Sequence, residues 1–141
     1  MSLNSAENVR QVVPFLHVDS MDESLRYYVT GLAFSVQRQW VVDGNVRWCW
    51  LTLGGASIML QTWHESRPRQ SNPGQGVSLS FQCEDAVALY HEFRSRGVDA
   101  SEPFVGNSMW VTTLSDPDGY RLEFHSFTGV PEETKLSDVR R

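Results

Sequence analysis

The chain has 141 residues, 40% apolar and 21% charged, and a formal net charge of -5. That length accommodates one domain, or two small fused modules, with a real core. Net acidity without a Lys/Arg-rich run argues against nucleic acid or an anionic membrane as partner, and no apolar run approaches the roughly 20 residues of a membrane span.

Residues 1–10 are polar and read as a loosely held tail without the basic and apolar regions of a signal peptide. A cytoplasmic location is therefore expected. Cys49 and Cys83 then read as reduced, buried apolar residues. Residues 12–18 predict a strand. Ser20-Met21-Asp22-Glu23 is a capping box that opens a helix, which continues to Val29 with Gly31 as its C-cap. Residues 34–42, 46–53 and 57–63 predict three strands, separated by the turn pairs Asp43-Gly44 and Gly54-Gly55. Residues 64–76 form a polar linker containing Pro68, Pro73, Gly74 and Gly76.

The order then restarts. Residues 77–83 predict a strand and residues 85–96 a helix, with Val87, Leu89, Tyr90 and Phe93 as its apolar stripe and Gly97 ending it. Residues 103–105, 110–114 and 120–127 predict three shorter strands, and 128–141 a second tail. The segment 116–124 (DPDGYRLEF) has a weak echo about 64 residues earlier at 54–61 (GGASIMLQ), a glycine turn followed by an alternating strand. The prediction is a single α+β domain over residues 11–127. It contains two tandem β-α-β-β-β modules, 11–63 and 77–127, as a curved mixed sheet around a cleft.

That duplicated order resembles the vicinal oxygen chelate superfamily of glyoxalase I, bleomycin-resistance proteins, extradiol dioxygenases and fosfomycin-resistance enzymes. Three segments carry the resemblance: 14–34 (PFLHVDSMDESLRYYVTGLAF), 54–61 and, most specifically, 116–124. It implies the glyoxalase/bleomycin-resistance fold, with the cleft inside the curve, helices outside and a homodimer as the common assembly.

Period-two alternation separates the faces of each strand. The aliphatic set (Leu16, Val18, Cys49, Leu51, Ile58, Leu60, Leu79, Phe81, Leu122, Phe124) should face the helices. The mixed set (Phe15, His17, Trp48, Trp50, Met59, Gln61, Ser78, Glu123 and His125) should line the cleft, with Trp63 and Trp110 as further candidates.

Enzymes of the superfamily hold a divalent metal with up to four side chains, one from the first and one from the last strand of each module. The resemblance carries these positions onto Val13, Met59, Ser78 and Glu123. Only Glu123 is a good ligand for a hard cation; Val has no donor atom, and a thioether suits soft copper. No metal, cofactor or catalytic residue is therefore expected. No nucleophile triad or phosphate loop is recognisable either.

The expected function is sequestration of an organic ligand, aromatic or cationic, in an aromatic-lined cleft, closest in character to the bleomycin-resistance branch. The alternative is a lyase, isomerase or extradiol-type dioxygenase that uses one divalent metal at a site shifted to His17, Gln61, Glu123 and His125.

Overall fold

The structure, a computed structural model, describes residues 2–64 and 69–139. A one-turn helix α1 (Ser5–Asn8) is capped by Asn4, whose side chain accepts from the Glu7 amide at 2.8 Å. The first module follows as β1 (Phe15–Val18), α2 (Met21–Leu25), β2 (Ser35–Val42), β3 (Asn45–Leu53) and β4 (Ala56–Thr62). The second is β5 (Ser78–Gln82), α3 (Ala86–Ser95), β6 (Phe104–Gly106), β7 (Met109–Ser115) and β8 (Arg121–Phe127).

The two modules build two four-stranded mixed sheets of matching order, β1-β4-β3-β2 and β5-β8-β7-β6. The first strand of each runs parallel to the last, and the other pairs are antiparallel. The duplicated β-α-β-β-β architecture read from the sequence is the one observed. The paired registers make β4 and β8 equivalent: His17 lies opposite Gln61 in one sheet, and Gln82 opposite His125 in the other.

Local chemistry explains the helix starts. Ser20 Oγ accepts from the Glu23 amide at 3.2 Å, and Asp85 Oδ1 from the Ala88 amide at 2.9 Å. Each satisfies one of the amides a helix start leaves free. Gly97 takes φ 83° just past α3, a left-handed conformation that suits glycine.

Gly31 does not play the matching part. After α2 the chain widens into a π-helical turn, Arg26–Gly31, and the residue at positive φ is Ala33, at 73°. Gly31 instead makes room: a Cβ there would lie 2.8 Å from a Val98 methyl of the second module.

Both helices cover the same side of their sheets and share one core. Leu16, Val18, Tyr28, Leu51 and Ile58 of the first module belong to the same buried cluster as Phe93, Leu114, Leu122 and Phe124 of the second. Polar bonds lock the seam. The Tyr28 hydroxyl donates to Asp116 Oδ2 at 2.7 Å, the Asp19 amide to Asp118 Oδ1 at 2.9 Å, and the Arg96 side chain to the Gly31 carbonyl at 2.8 Å. Asp19 also forms a bidentate pair with Arg69 of the linker, at 2.6 and 2.8 Å.

The C-terminal segment is not a loose tail. It runs beside β6, where the Val105 amide donates to the Thr134 carbonyl and the Glu133 amide to the Val105 carbonyl. The Glu132 carboxylate accepts from the amides of Asn107 and Ser108, both at positive φ. A last short helix, α4 (Leu136–Val139), buries Leu136. Among the described residues no helix is long and apolar enough to cross a membrane.

Candidate ligand-binding face

Cross-strand register fixes which side chains share a face. In the first sheet, Trp40, Trp48, Gln61 and His17 form one rung, and Arg38, Trp50, Met59 and Phe15 the next. Ser35, Thr52 and Ser57 form a third. These lie opposite the fully buried Cys49, Leu51, Ile58 and Leu60, so they face away from the helices. Trp48 and Trp50 are half-buried. Trp40 and Phe15 are exposed, at 58% and 43%.

A bulge in β2 between Val36 and Arg38 keeps the rungs aligned, and the Gln37 amide donates to Thr52 Oγ1 at 3.0 Å. The imidazole of His17 is buried between two rings, with centroids 5.0 Å from both Phe15 and Trp63. Gln61 also borders a small cavity of about 150 Å³ beside Trp40 and His64.

The second sheet presents a different surface. Its rungs are Gln82, His125, Val111 and Phe104; then Ser80, Glu123 and Thr113; then Ser78, Arg121 and Ser115. Glu123 pairs with Arg121 two residues away on the same strand, at 3.0 Å. Ser80 Oγ and His125 Nδ1 are 2.8 Å apart. That contact joins neighbouring strands, so linear sequence gave no signal for it; only the register brings the two together.

Trp110 belongs elsewhere. It pairs with Ser126 and Val105, both buried. Ser126 Oγ accepts from the Ala86 amide at the start of α3, which marks this as the helix side. Alternation does not separate the faces of β7, because both carry buried residues, Val111 as well as Thr112 and Leu114.

The four positions that the superfamily uses for metal fall two to a sheet, Met59 with the nearby Val13 and Glu123 with the nearby Ser78. Their donor set does not fit a hard divalent cation: an isopropyl group, a thioether, a neutral hydroxyl and one carboxylate already paired with Arg121. The shifted set is divided in the same way, His17 and Gln61 in one sheet, Glu123 and His125 in the other. Among the described residues no group of three His, Cys, Asp or Glu side chains could hold a metal ion.

A model of the Glyoxalase/Bleomycin resistance protein/Dioxygenase superfamily matches residues 9–124, and the chain belongs to that superfamily. Solved structures agree on the fold. TnmS3, an antibiotic binding protein from Streptomyces sp. CB03234, superposes with a TM-score of 0.64 at 21% identity, covering 84% of this chain and 98% of that one. TioX from Micromonospora sp. ML1 gives 0.68 at 17% identity, with coverages of 84% and 98%. A glyoxylase/bleomycin resistance protein/dioxygenase domain from Frankia sp. EAN1pec gives 0.63 at 21%, with coverages of 88% and 96%.

Among curated proteins, the transcriptional regulatory protein DEP1 of Saccharomyces cerevisiae is 30% identical over 88 residues. The match spans 62% of this chain but only 21% of that protein.

Proposed function

We propose that this protein binds an aromatic organic molecule on the face built by Trp48, Trp50, Met59 and Phe15, without a metal, and that two copies pair over these faces as a homodimer. The observation that carries the reading is the pair of indoles at i and i+2 on the side of β3 away from the core. Aromatic walls with a few polar groups suit small-molecule recognition. Gln61 and His17, on the same rung as Trp48, would supply the polarity of this face, and Ser78 and His125 would add to it from the second sheet. The fold shared with TnmS3, named as an antibiotic binding protein, supports the same class of activity.

Charge refines the ligand. The aromatic rungs contain no carboxylate, Arg38 stands beside Trp50, and Glu123 is paired with Arg121. A neutral or anionic aromatic fits this face better than a cation. Exposed Trp40 (58%) and Phe15 (43%) favour a second copy closing over it.

Tryptophan fluorescence titrated with naphthalene-1-sulfonate and with N-methylquinolinium tests the reading. Tighter binding of the sulfonate is expected, weakened by about 0.5–1.5 kcal/mol in Trp50→Ala with the thermal transition retained. Equal affinity of wild type and Trp50→Ala for both probes would refute it. Sedimentation velocity at micromolar concentration should show a dimer; a monomer would refute the pairing.

A further inference from the structure

The two modules share one strand order and matching registers, so the edge strand of each has an equivalent in the other and the seam between the modules has two comparable sides. The two sides differ. On one, Tyr120 closes the seam. Its hydroxyl donates to the His17 carbonyl at 2.9 Å and accepts from the His17 amide at 3.3 Å. Both groups lie on the outer edge of β1, which has no neighbouring strand there.

The related edge belongs to β5. Gln82 lies opposite His125 as His17 lies opposite Gln61, so Gln82 is the counterpart of His17. The Cys83 amide donates inward to the His125 carbonyl. Alternation along a strand turns the Gln82 amide and carbonyl outward, and no hydrogen bond reaches them among the described residues.

The counterpart of Tyr120 follows from the hairpins. Arg121 pairs with Ser115 as Ser57 pairs with Thr52, so the residue just before each, Tyr120 or Ala56, occupies the same place. The first hairpin turns through Gly54-Gly55, and the second uses the longer Asp-Pro-Asp-Gly loop. Where one seam holds a phenol ring, the other holds a methyl group. The difference is visible as space: a cavity of about 540 Å³, bordered by Leu32, Gly55, Ala56, Phe81, Gln82 and Leu89. That volume is within the range of small-molecule sites.

We propose that this seam cavity is a second binding site, separate from the aromatic face, for a hydroxylated aromatic small molecule. Its ring lies against Leu32, Phe81 and Leu89. Its hydroxyl donates to the Gln82 carbonyl and accepts from the Gln82 amide, as the Tyr120 hydroxyl does for His17. A phenol suits both groups at once because its oxygen is donor and acceptor together.

The test uses p-cresol, the free form of the tyrosine side chain, with toluene as the ring without the hydroxyl. Amide NMR of the whole protein should show saturable shifts at Gln82, Gly55 and Ala56 with p-cresol. Toluene should bind roughly five- to a hundredfold more weakly, the value of the two net hydrogen bonds that it lacks. Ala56→Phe, which fills the cavity, should abolish the shifts. Equal affinity for toluene and p-cresol would overturn the proposal. So would shifts confined to the Trp48 and Trp50 strand, or no saturable shift because a second copy or another part of the chain fills the seam. The wild-type map decides the matter even where Ala56→Phe fails to fold.

Discussion

Tyr28 and Asp116, 88 residues apart, meet in the core through a 2.7 Å hydrogen bond that joins the helix of one module to the last hairpin of the other. Tyr28 is fully buried and Asp116 is 5% exposed. Asp116 also accepts from the amides of Asp118 and Tyr120, which fixes the hairpin turn. The one side-chain bond therefore positions a whole loop, including the Tyr120 hydroxyl that caps β1. Tyr28→Phe keeps the ring and leaves Asp116 Oδ2 without its partner, while Oδ1 keeps its two amides. A loss of about 1.5–3 kcal/mol is expected, the worth of a hydrogen bond to a charged group, read as a lower urea midpoint. An unchanged midpoint would show that the seam is held by apolar packing alone.

The same carboxyl should make stability depend on pH. Burial raises Asp116 above the ordinary carboxyl value, and the bonds from Tyr28 and from the Tyr120 and Asp118 amides only partly pull it back. A raised carboxyl holds its proton more tightly folded than unfolded. Its contribution is largest in acid and is lost as pH rises through the folded value. Asp19 has the opposite sign: the bond from Arg69 lowers it, and its contribution is lost as pH falls. Asp116→Asn removes only the first effect. Wild type should lose stability relative to Asp116→Asn between about pH 4 and about pH 7, measured by urea unfolding at both. A relative gain for wild type would mean that the hydrogen bonds outweigh burial.

Much of the fold was legible because strands with one buried face alternate with period two. Leu16 and Val18, Ile58 and Leu60, and Leu122 and Phe124 all point to the core as that pattern requires. Turn chemistry was equally readable: Asp43-Gly44 has positive φ at both residues. Gly31 was misread because a glycine near a helix end serves equally as a left-handed cap or as a close-approach site. Only the packing of Val98 against it decides. The C-terminal segment looked like a tail because its contacts are mainly backbone bonds to β6, which leave no hydrophobic pattern. The pairing of Ser80 with His125 and the unequal seams depend on register, which a single sequence does not print.

The two thiols should differ in reactivity. Cys49 is fully buried on the helix side of β3, and burial pushes its thiol up to about 11. Cys83 is half-buried, and burial raises it as well. Thiolate is the attacking form, so both react slowly in the native state, and exposure sets the order. Iodoacetamide at mildly alkaline pH, followed by peptide mass spectrometry, should modify Cys83 first and Cys49 only after denaturation. Labelling of Cys49 at the rate of Cys83 would show that the first module opens locally.

Gly31 offers the sharpest test of how closely the modules pack. Its backbone is not left-handed, so a Gly→Ala change there would ordinarily stabilise by about 0.4–1 kcal/mol through the unfolded chain. Space decides otherwise. The added methyl would sit 2.8 Å from Val98 Cγ2, and Val98 is β-branched and buried, with little freedom to turn aside. Overpacking of this kind costs about 1–3 kcal/mol, which exceeds the entropic gain. Gly31→Ala should therefore destabilise. Val98→Ala in the same chain should recover part of the loss, because it removes the methyl that is struck. A double-mutant cycle by urea unfolding measures this: the coupling should be favourable and of order 1 kcal/mol. Additive effects of the two changes would mean that the modules slide apart to admit the methyl, and that the seam is looser than its hydrogen bonds imply.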